Sequence, residues 1–376
     1  MRSAKKAQVE IAFNWIYILI AGAVILLFFV GIVVKQKAAA EEQLAFEVVE
    51  VMDSIFAGAG VSEKTKNFID TSGLADYTLY FNCEIDPQGR SLGEFGIKEK
   101  GSSIQSRIEP IFSPQELKAT KMILWSLPYN FPFKVIDSLF VTSFNTKYFI
   151  LVSQDKFYEE FLNATQGFNV QWILDPSSIS PEKNFQVRII DLDGSSINEN
   201  KKVPDSLASL EDDKVTALVF TGSNLITYYQ KQGIQWKKMH LNPLTIVSIA
   251  EERDAAKYAA IFSANDKMYQ CNMLKAFQRL QYLLEIYEQK AKEMEKYYLD
   301  HPELTLTKSC LNYIQGPYLL ESGEKTSLII ALNDIKTNLG SCLIEPKYCT
   351  YLITPAKQLQ QVNRDLGEKG DCLTLY

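Results

Sequence analysis

Histidine is scarce in this 376-residue chain, and the short sequence patterns of common catalytic sites are missing. His240 and His301 are the only histidines, so a zinc site or a Ser-His-Asp triad lacks its usual components. None of the patterns G-x-G-x-x-G, G-x-x-x-x-G-K-S/T and G-x-S-x-G occurs. We therefore expect no catalytic residues, no resident metal and no cofactor.

Long apolar runs and basic stripes are also rare, and each shortage excludes a class of protein. Only one apolar run is long enough to cross a bilayer, which excludes a protein with several spans. No stripe of lysine and arginine interleaved with aromatic residues occurs, which argues against nucleic acid as a partner. The whole chain carries −6 and residues 1–37 carry +4, so the remainder carries −10. With 47% apolar and 12% aromatic residues, the chain can build a folded core.

The one long apolar run predicts a transmembrane helix over residues 11–34. Asn14 is the only strongly polar residue in these 24 positions. A helix of that length reaches ~36 Å, which is enough to cross a hydrocarbon core of ~30 Å. Trp15 and Tyr17 lie near one end of the run, where amphipathic rings prefer the membrane interface.

Charges on the two sides of this run predict how the chain is oriented. Arg2, Lys5 and Lys6 lie ahead of it in residues 1–10, and acids follow soon after it. The positive-inside rule therefore places residues 1–10 in the cytoplasm and the C-terminal part outside the cell membrane. A Sec signal peptide cleaved after the small residues 38–40 is the alternative, although its apolar region is usually shorter.

The residues just ahead of the run carry a family resemblance. Residues 5–8, Lys-Lys-Ala-Gln, resemble the class III signal peptide of archaeal type IV pilin-like proteins. The resemblance implies cleavage between Ala7 and Gln8 by a prepilin peptidase, which leaves the apolar helix in the mature chain. Such proteins usually carry Glu at the fifth mature position, whereas here Glu10 is the third, and it is the candidate assembly residue. An ordinary signal anchor, whose basic residues only set orientation, is the alternative.

Residues 35–60 are predicted to continue the membrane helix as an amphipathic stalk. Apolar residues recur on one face at helical spacing, and acids occupy much of the remainder. The apolar face consists of Leu44, Val48, Val51, Met52 and Ile55. We expect this face to pack on the outer part of the protein, as in pilin-like proteins and in stalked receptors.

All cysteines lie beyond the span, which predicts up to three disulfides in an oxidising compartment. They are Cys83, Cys271, Cys310, Cys342, Cys349 and Cys372. At least one bridge is expected within residues 307–376, and the pairing stays open. Asn163 begins the only Asn-x-Ser/Thr tripeptide, which makes it the one candidate for N-glycosylation.

The rest of the chain is predicted to be α/β, in three parts. Residues 61–145 alternate short apolar runs with turn signals and should be β-rich. Residues 146–265 alternate apolar strands with helices, which suggests a Rossmann-like α/β domain with a sheet buried on both faces. Residues 266–376 should form a helical hairpin, Met268–Tyr298 against Ser327–Leu339, and a disulfide-stapled tail.

One turn of the Rossmann-like part is a candidate ligand site. Gly222, Ser223 and Asn224 follow an apolar strand and precede a predicted short helix over Leu225–Lys231. Open α/β sheets bind ligands at the carboxyl ends of their strands, and a helix N-terminus attracts anions. The simpler interpretation is a capped turn without a ligand.

Two further patterns have simple explanations. Asp191 and Asp193 resemble the start of a calcium loop, but the position that needs Glu is Lys202, so a turn is expected. Ser153 and Lys156 fit the S-x-x-K pattern of penicillin-recognising enzymes, without the S-D-N and K-T-G motifs that accompany it.

These observations together predict a non-enzymatic, single-pass membrane-anchored protein that acts in cell-surface assembly or adhesion. The most specific version of this prediction is a pilin-like subunit. Its expected partners are the lipid bilayer through residues 11–34 and other protein chains or copies of itself. The alternative is a surface receptor that binds a small ligand near residues 222–224. An anchored hydrolase is the third hypothesis.

Overall fold

The computed structural model describes residues 3–62, 65–74, 77–98, 101–106, 109–118, 120–180, 185–222 and 224–376; of residues 3–18, 38, 61 and 106 it describes the backbone alone. Within these ranges the chain is mixed α/β. The helices are α1 (Ser3–Val61), α2 (Lys156–Ala164), α3 (Ala255–Phe262), α4 (Asp266–Asp300), α5 (Thr307–Ile314), α6 (Leu328–Ile344) and α7 (Ile353–Glu368). The strands are β1 (Lys66–Asp70), β2 (Leu79–Ile85), β3 (Ser91–Ile97), β4 (Ser102–Ser106), β5 (Ile111–Phe112), β6 (Glu116–Leu117), β7 (Lys121–Asn130), β8 (Lys134–Ser143), β9 (Thr146–Leu151), β10 (Val170–Ile173), β11 (Gln186–Asp191), β12 (Val215–Thr221), β13 (Leu225–Gln232), β14 (Gln235–Lys238), β15 (Leu244–Thr245), β16 (Tyr318–Leu319) and β17 (Lys325–Thr326).

Two four-stranded sheets receive the outer half of α1. The first has the order β4-β3-β2-β6 and is antiparallel throughout, whereas the second has the order β1-β7-β8-β5, with β5 parallel to β8. Phe56 of α1 meets the ring of Phe95 edge-to-face at 5.0 Å between centroids. The Ser126 hydroxyl on β7 donates to the Gly60 carbonyl over 3.1 Å, which holds the end of α1 against the second sheet.

A seven-stranded sheet forms the centre of the outer part, in the order β10-β9-β11-β12-β13-β14 with β15 paired to β13. The first four strands are parallel and the rest antiparallel. Helices α2 and α3 share one apolar core with one face. On the other face the described residues between β11 and β12 form 3-10 turns and loops, with no α-helix. Both faces are buried as expected, but helices cover only one of them, since residues 192–214 include Gly194 and Pro204 and never sustain helical spacing.

The helix expected over Leu225–Lys231 is wrong, because this segment is strand β13. Ile226, Thr227 and Tyr228 are β-branched or aromatic and lie within its buried run. Gly222 has a φ of +63°, which suits a tight turn between the antiparallel strands β12 and β13. The local pattern is therefore a hairpin.

The C-terminal helices pack together as a hairpin and are tied by disulfides. Helix α4 begins where the Asn265 side chain accepts the Met268 amide at 2.9 Å, and α6 begins where the Ser327 hydroxyl accepts the Ile330 amide at 3.2 Å. Helices α4 and α6 pack against each other, and both contribute to the main apolar core. All six cysteines are paired, as Cys83–Cys271, Cys310–Cys372 and Cys342–Cys349.

Candidate functional site

Residues 19–34 of α1 form an exposed apolar stretch of helix. Over the described side chains from Leu19 to Gly60, the most apolar 18-residue window has a mean hydropathy of 2.4 and none of it is buried. One N-terminal helix is therefore apolar and long enough to span a membrane. The residues implicated in processing and assembly, Ala7, Gln8 and Glu10, belong to the same helix, and their side chains lie outside the described part.

The outer half of α1 packs on the two small sheets through a face that differs from the predicted one. The buried positions are Ala45, Val49, Met52, Phe56 and Ala59. Of the predicted face, only Met52 is buried, and Leu44 and Val51 are 53% and 59% exposed. The expectation was only partly right, since Val48 and Ile55 also pack against the buried residues. Small residues such as Ala45 and Ala59 allow close packing on a sheet, which a search for large apolar residues passes over.

An apolar row runs along the flank of the packed face, and its members Leu44 and Val51 are exposed. Leu44, Val48, Val51 and Ile55 are spaced by four, three and four residues, the repeat that faces a partner helix in coiled coils. Val48 and Ile55 are half-buried at the edge of the packed face. We call these four residues the stalk seam. Residues 35–43, four of which are charged, separate the seam from the exposed apolar run that ends at Val34. One helix therefore carries apolar residues both before and after the predicted membrane boundary.

The predicted ligand turn offers little that recognises a ligand. Gly222 and Asn224 lie in the β12–β13 hairpin, and Ser223 lies outside the described residues. The Asn224 carbonyl accepts the Ile246 amide at 2.7 Å, so its backbone already has a partner. Without a following helix, the turn lacks the N-terminal dipole on which the expectation depended.

Two other sequence candidates have clear positions. Asn163 is exposed in the last turn of α2, where a glycan has room. Asp191 is buried, and its carboxylate accepts the amides of Gly194, Ser196 and Ile197 at 2.8–3.0 Å. The expected turn is confirmed, because these bonds close the loop on itself. Burial raises the pKa of the Asp191 carboxyl.

A cavity of about 750 Å³ lies at the opposite end of the parallel strands from Gly222. It is bounded by the amino ends of β11 and β12, by the carboxyl end of β13, and by the junction between α3 and α4. The distance from this end of β12 to the hairpin is roughly 20 Å along the strand. Sequence reasoning directed attention to the other end of the sheet.

Arg188 is the central charged residue of this cavity. It is 4% exposed and donates to the carbonyls of Ala260, Ser263 and Ala264 at 2.6–3.2 Å, and to the Thr216 hydroxyl at 3.1 Å. A cation is favoured there because those carbonyls belong to the carboxyl end of α3 and the turn after it. Burial lowers the pKa of Arg188. A single Arg between the apolar residues Val187 and Ile189 was the available sequence signal.

The cavity walls are polar, and two buried aromatic residues complete them. Tyr148 and Phe262 line the cavity, and their ring centroids lie 5.3 Å apart. Burial raises the pKa of Tyr148 to about 12, so its hydroxyl remains protonated at neutral pH. Among the described residues, no group of three or more His, Cys, Asp or Glu side chains is placed to hold a metal ion.

No protein-family model, curated protein or solved structure matches the chain.

Proposed function

We propose that the chain is a non-enzymatic, single-pass membrane protein that self-assembles through α1 as a pilin-like subunit at the cell surface. The observation that carries this proposal is the stalk seam. A helix that only anchors a domain has no need of an apolar row in water, whereas a helix that packs on its copies does. Burying Leu44 or Val51 against a neighbour contributes roughly 1.5–3 kcal/mol each.

The orientation that the proposal requires has support from both ends of the chain. Basic residues dominate positions 1–10, and the remaining chain beyond residue 37 is acidic. The three disulfides are typical of proteins outside the reducing cytoplasm. Protease added to intact cells should therefore remove the outer part, and complete protection of that part would contradict the orientation.

Maturation distinguishes the pilin-like form from its alternatives. In our proposal a prepilin peptidase cuts between Ala7 and Gln8, so the chain recovered from its native membrane begins at Gln8. N-terminal sequencing of that chain tests this directly. An intact Met1 would leave an ordinary anchor, and a start near residue 41 would mean that the span is removed as a signal peptide.

Assembly is tested by a matched pair of substitutions on the two longest helices. Val51 in α1 and Ile286 in α4 are 59% and 61% exposed, so Asp at either position should leave the fold intact. Val51→Asp places a charge in the seam and should abolish assemblies seen by electron microscopy or native gels of membrane extracts. Ile286→Asp should leave them unchanged. Equal assembly in both variants would overturn the proposal.

A further inference from the structure

The cavity next to Arg188 has the size and the walls of a site for a small polar ligand. Its volume of about 750 Å³ falls within the range of roughly 300–1,000 Å³ that is usual for ligand sites. Strands β11, β12, β13 and β14 and the α3–α4 junction surround it, so most of its walls belong to regular elements. Such walls hold side chains in fixed positions, which favours a specific ligand.

Arg188 brings a positive charge to this cavity without an acidic partner. Its guanidinium bonds are made to backbone carbonyls and to the Thr216 hydroxyl. Within the described part of the chain, no carboxylate lies within ion-pair distance of it, and its buried Nε has no hydrogen-bond partner. Its positive charge is therefore not neutralised by a side chain, which favours an anion in the adjoining cavity.

The other charges of the cavity fall into paired and unpaired groups. The paired ones are Lys214–Glu211, Lys231–Asp212, Lys238–Glu199 and Lys98–Glu116. Lys237 and Lys267 are exposed and form no ion pair among the residues that the structure describes. Asp213 and Asp266 are the remaining acids, and Asp266 lies in the first turn of α4, where the helix dipole favours it. Unpaired cations therefore outnumber unpaired acids.

The uncharged walls suit hydroxyl groups better than apolar ones. The residues that line the cavity include Gln115, Gln186, Gln230 and Gln232, and a side-chain amide both donates and accepts hydrogen bonds. The Gln186 amide already donates to the Glu116 carbonyl at 2.9 Å. The two remaining carboxylates accept from hydroxyls as well. We propose that this cavity binds an acidic sugar, whose carboxylate lies toward Arg188, Lys237 and Lys267 and whose hydroxyls contact the amides. This ligand site is independent of assembly through α1.

Isothermal titration of the full-length protein in lipid nanodiscs tests the proposal. The probes are digalacturonic acid, galacturonic acid and the neutral disaccharide galactobiose. We expect the acidic probes to bind at least about tenfold more tightly than galactobiose, because charge-assisted hydrogen bonds are the stronger ones. Tighter binding of the disaccharide than of the monosaccharide identifies a sugar chain as the source, and equal binding identifies the free acid.

Exposed lysines provide variants that should fold normally. Lys237→Gln combined with Lys267→Gln should weaken digalacturonic acid binding by about tenfold or more. Lys296→Gln combined with Lys357→Gln removes the same charge from exposed positions elsewhere and should bind like the unaltered protein. Equal binding of acidic and neutral probes, no binding of any probe, or an equal loss in both pairs of variants would overturn the proposal.

Discussion

Helices α1 and α4 are the two longest that the structure describes, at 59 and 35 residues. They differ in how their exposed apolar side chains are arranged along the helix. Helix α4 exposes Tyr282 and Ile286, and nearer its end Tyr297 and Leu299. Between these two pairs the row is interrupted by Gln289 and Glu293, which are hydrogen-bonded to each other at 3.1 Å. In α1 the comparable row consists of four apolar residues without a polar interruption, of which two are exposed and two half-buried.

The two helices differ in whether their apolar row is uninterrupted, and less in how exposed any single side chain is. Single exposed apolar residues are common on soluble proteins and need no explanation. A row that repeats every three or four residues on a helix provides a surface for another helix. We infer that α4 is completed within its own chain, whereas α1 needs a bilayer along its first half and neighbouring copies along its second.

The disulfide between the two regions should have the largest effect on stability. Cys83–Cys271 joins β2, next to α1, to α4 across 188 positions, whereas Cys342–Cys349 closes a loop across 7. Loop-closure entropy predicts that Cys83→Ala with Cys271→Ala lowers the free energy of unfolding by about 4–5 kcal/mol, and that Cys342→Ala with Cys349→Ala costs about half as much. Denaturant titration followed by tryptophan fluorescence measures both. Equal costs would show that the long-range disulfide stabilises the fold no more than the short-range one.

Charge on the packed face of α1 should have the next largest effect. Val49 is fully buried against the small sheets. Val49→Asp buries an unpaired carboxylate and should destabilise the outer part by roughly 3–5 kcal/mol. Val51→Asp, two residues further on, is the control and should change stability by less than about 0.5 kcal/mol. Circular dichroism melts distinguish the two, and similar melting temperatures would contradict the assigned faces.

The packed end of α4 should show a pH dependence that α1 lacks. Burial lowers the pKa of Lys275 to about 8, even though nearby Glu109 opposes the shift. The unfolded chain keeps a lysine pKa near ~10.4, so above pH ~8 it binds more protons than the folded chain, and stability rises with pH. We expect a gain of about 2 kcal/mol between pH ~7.5 and ~9.5. Lys275→Met should flatten this rise in urea titrations; a rise of the same size in the variant would assign it to another group.

Glu10 should affect assembly while leaving the stability of the outer part unchanged. In a bundle of apolar helices an ionised carboxylate needs a partner, and the amino group of Gln8 on a neighbouring copy would provide it after cleavage. Glu10→Ala should therefore reduce assembly without changing insertion into the membrane or the melting temperature. Normal assembly of Glu10→Ala would place this residue in the solvated headgroup region of an ordinary anchor.

Much of the fold was readable from local patterns. The long helix α4 was predicted within two residues of its observed ends because Asn265 caps it and Pro302 follows it closely. The positions of the cysteines predicted disulfides near the C-terminus, whereas which cysteines pair became known only from the three-dimensional structure. Hydrophobic spacing also indicated that the helix continues past the predicted membrane boundary, as α1 does.

The features that the sequence patterns did not predict depend on contacts between residues far apart along the chain. Small residues such as Ala45 turn α1 toward the sheets, and spacing alone does not distinguish that face from the stalk seam. Lys231 lies in a strand that lacks strict alternation, so Leu225–Lys231 was assigned to a helix. The cavity combines Arg188 with the α3–α4 junction, which is about 75 residues away along the chain, a separation that no local pattern spans.

The most direct test of assembly through α1 compares photo-cross-linking from positions 51 and 286 in intact cells. A benzoylphenylalanine replaces Val51 in one variant and Ile286 in the other, since the two sites are equally exposed on the isolated chain. The account predicts a ladder of cross-linked copies from position 51 and only monomer from position 286. Monomer from both positions, or equal ladders from both, would contradict it.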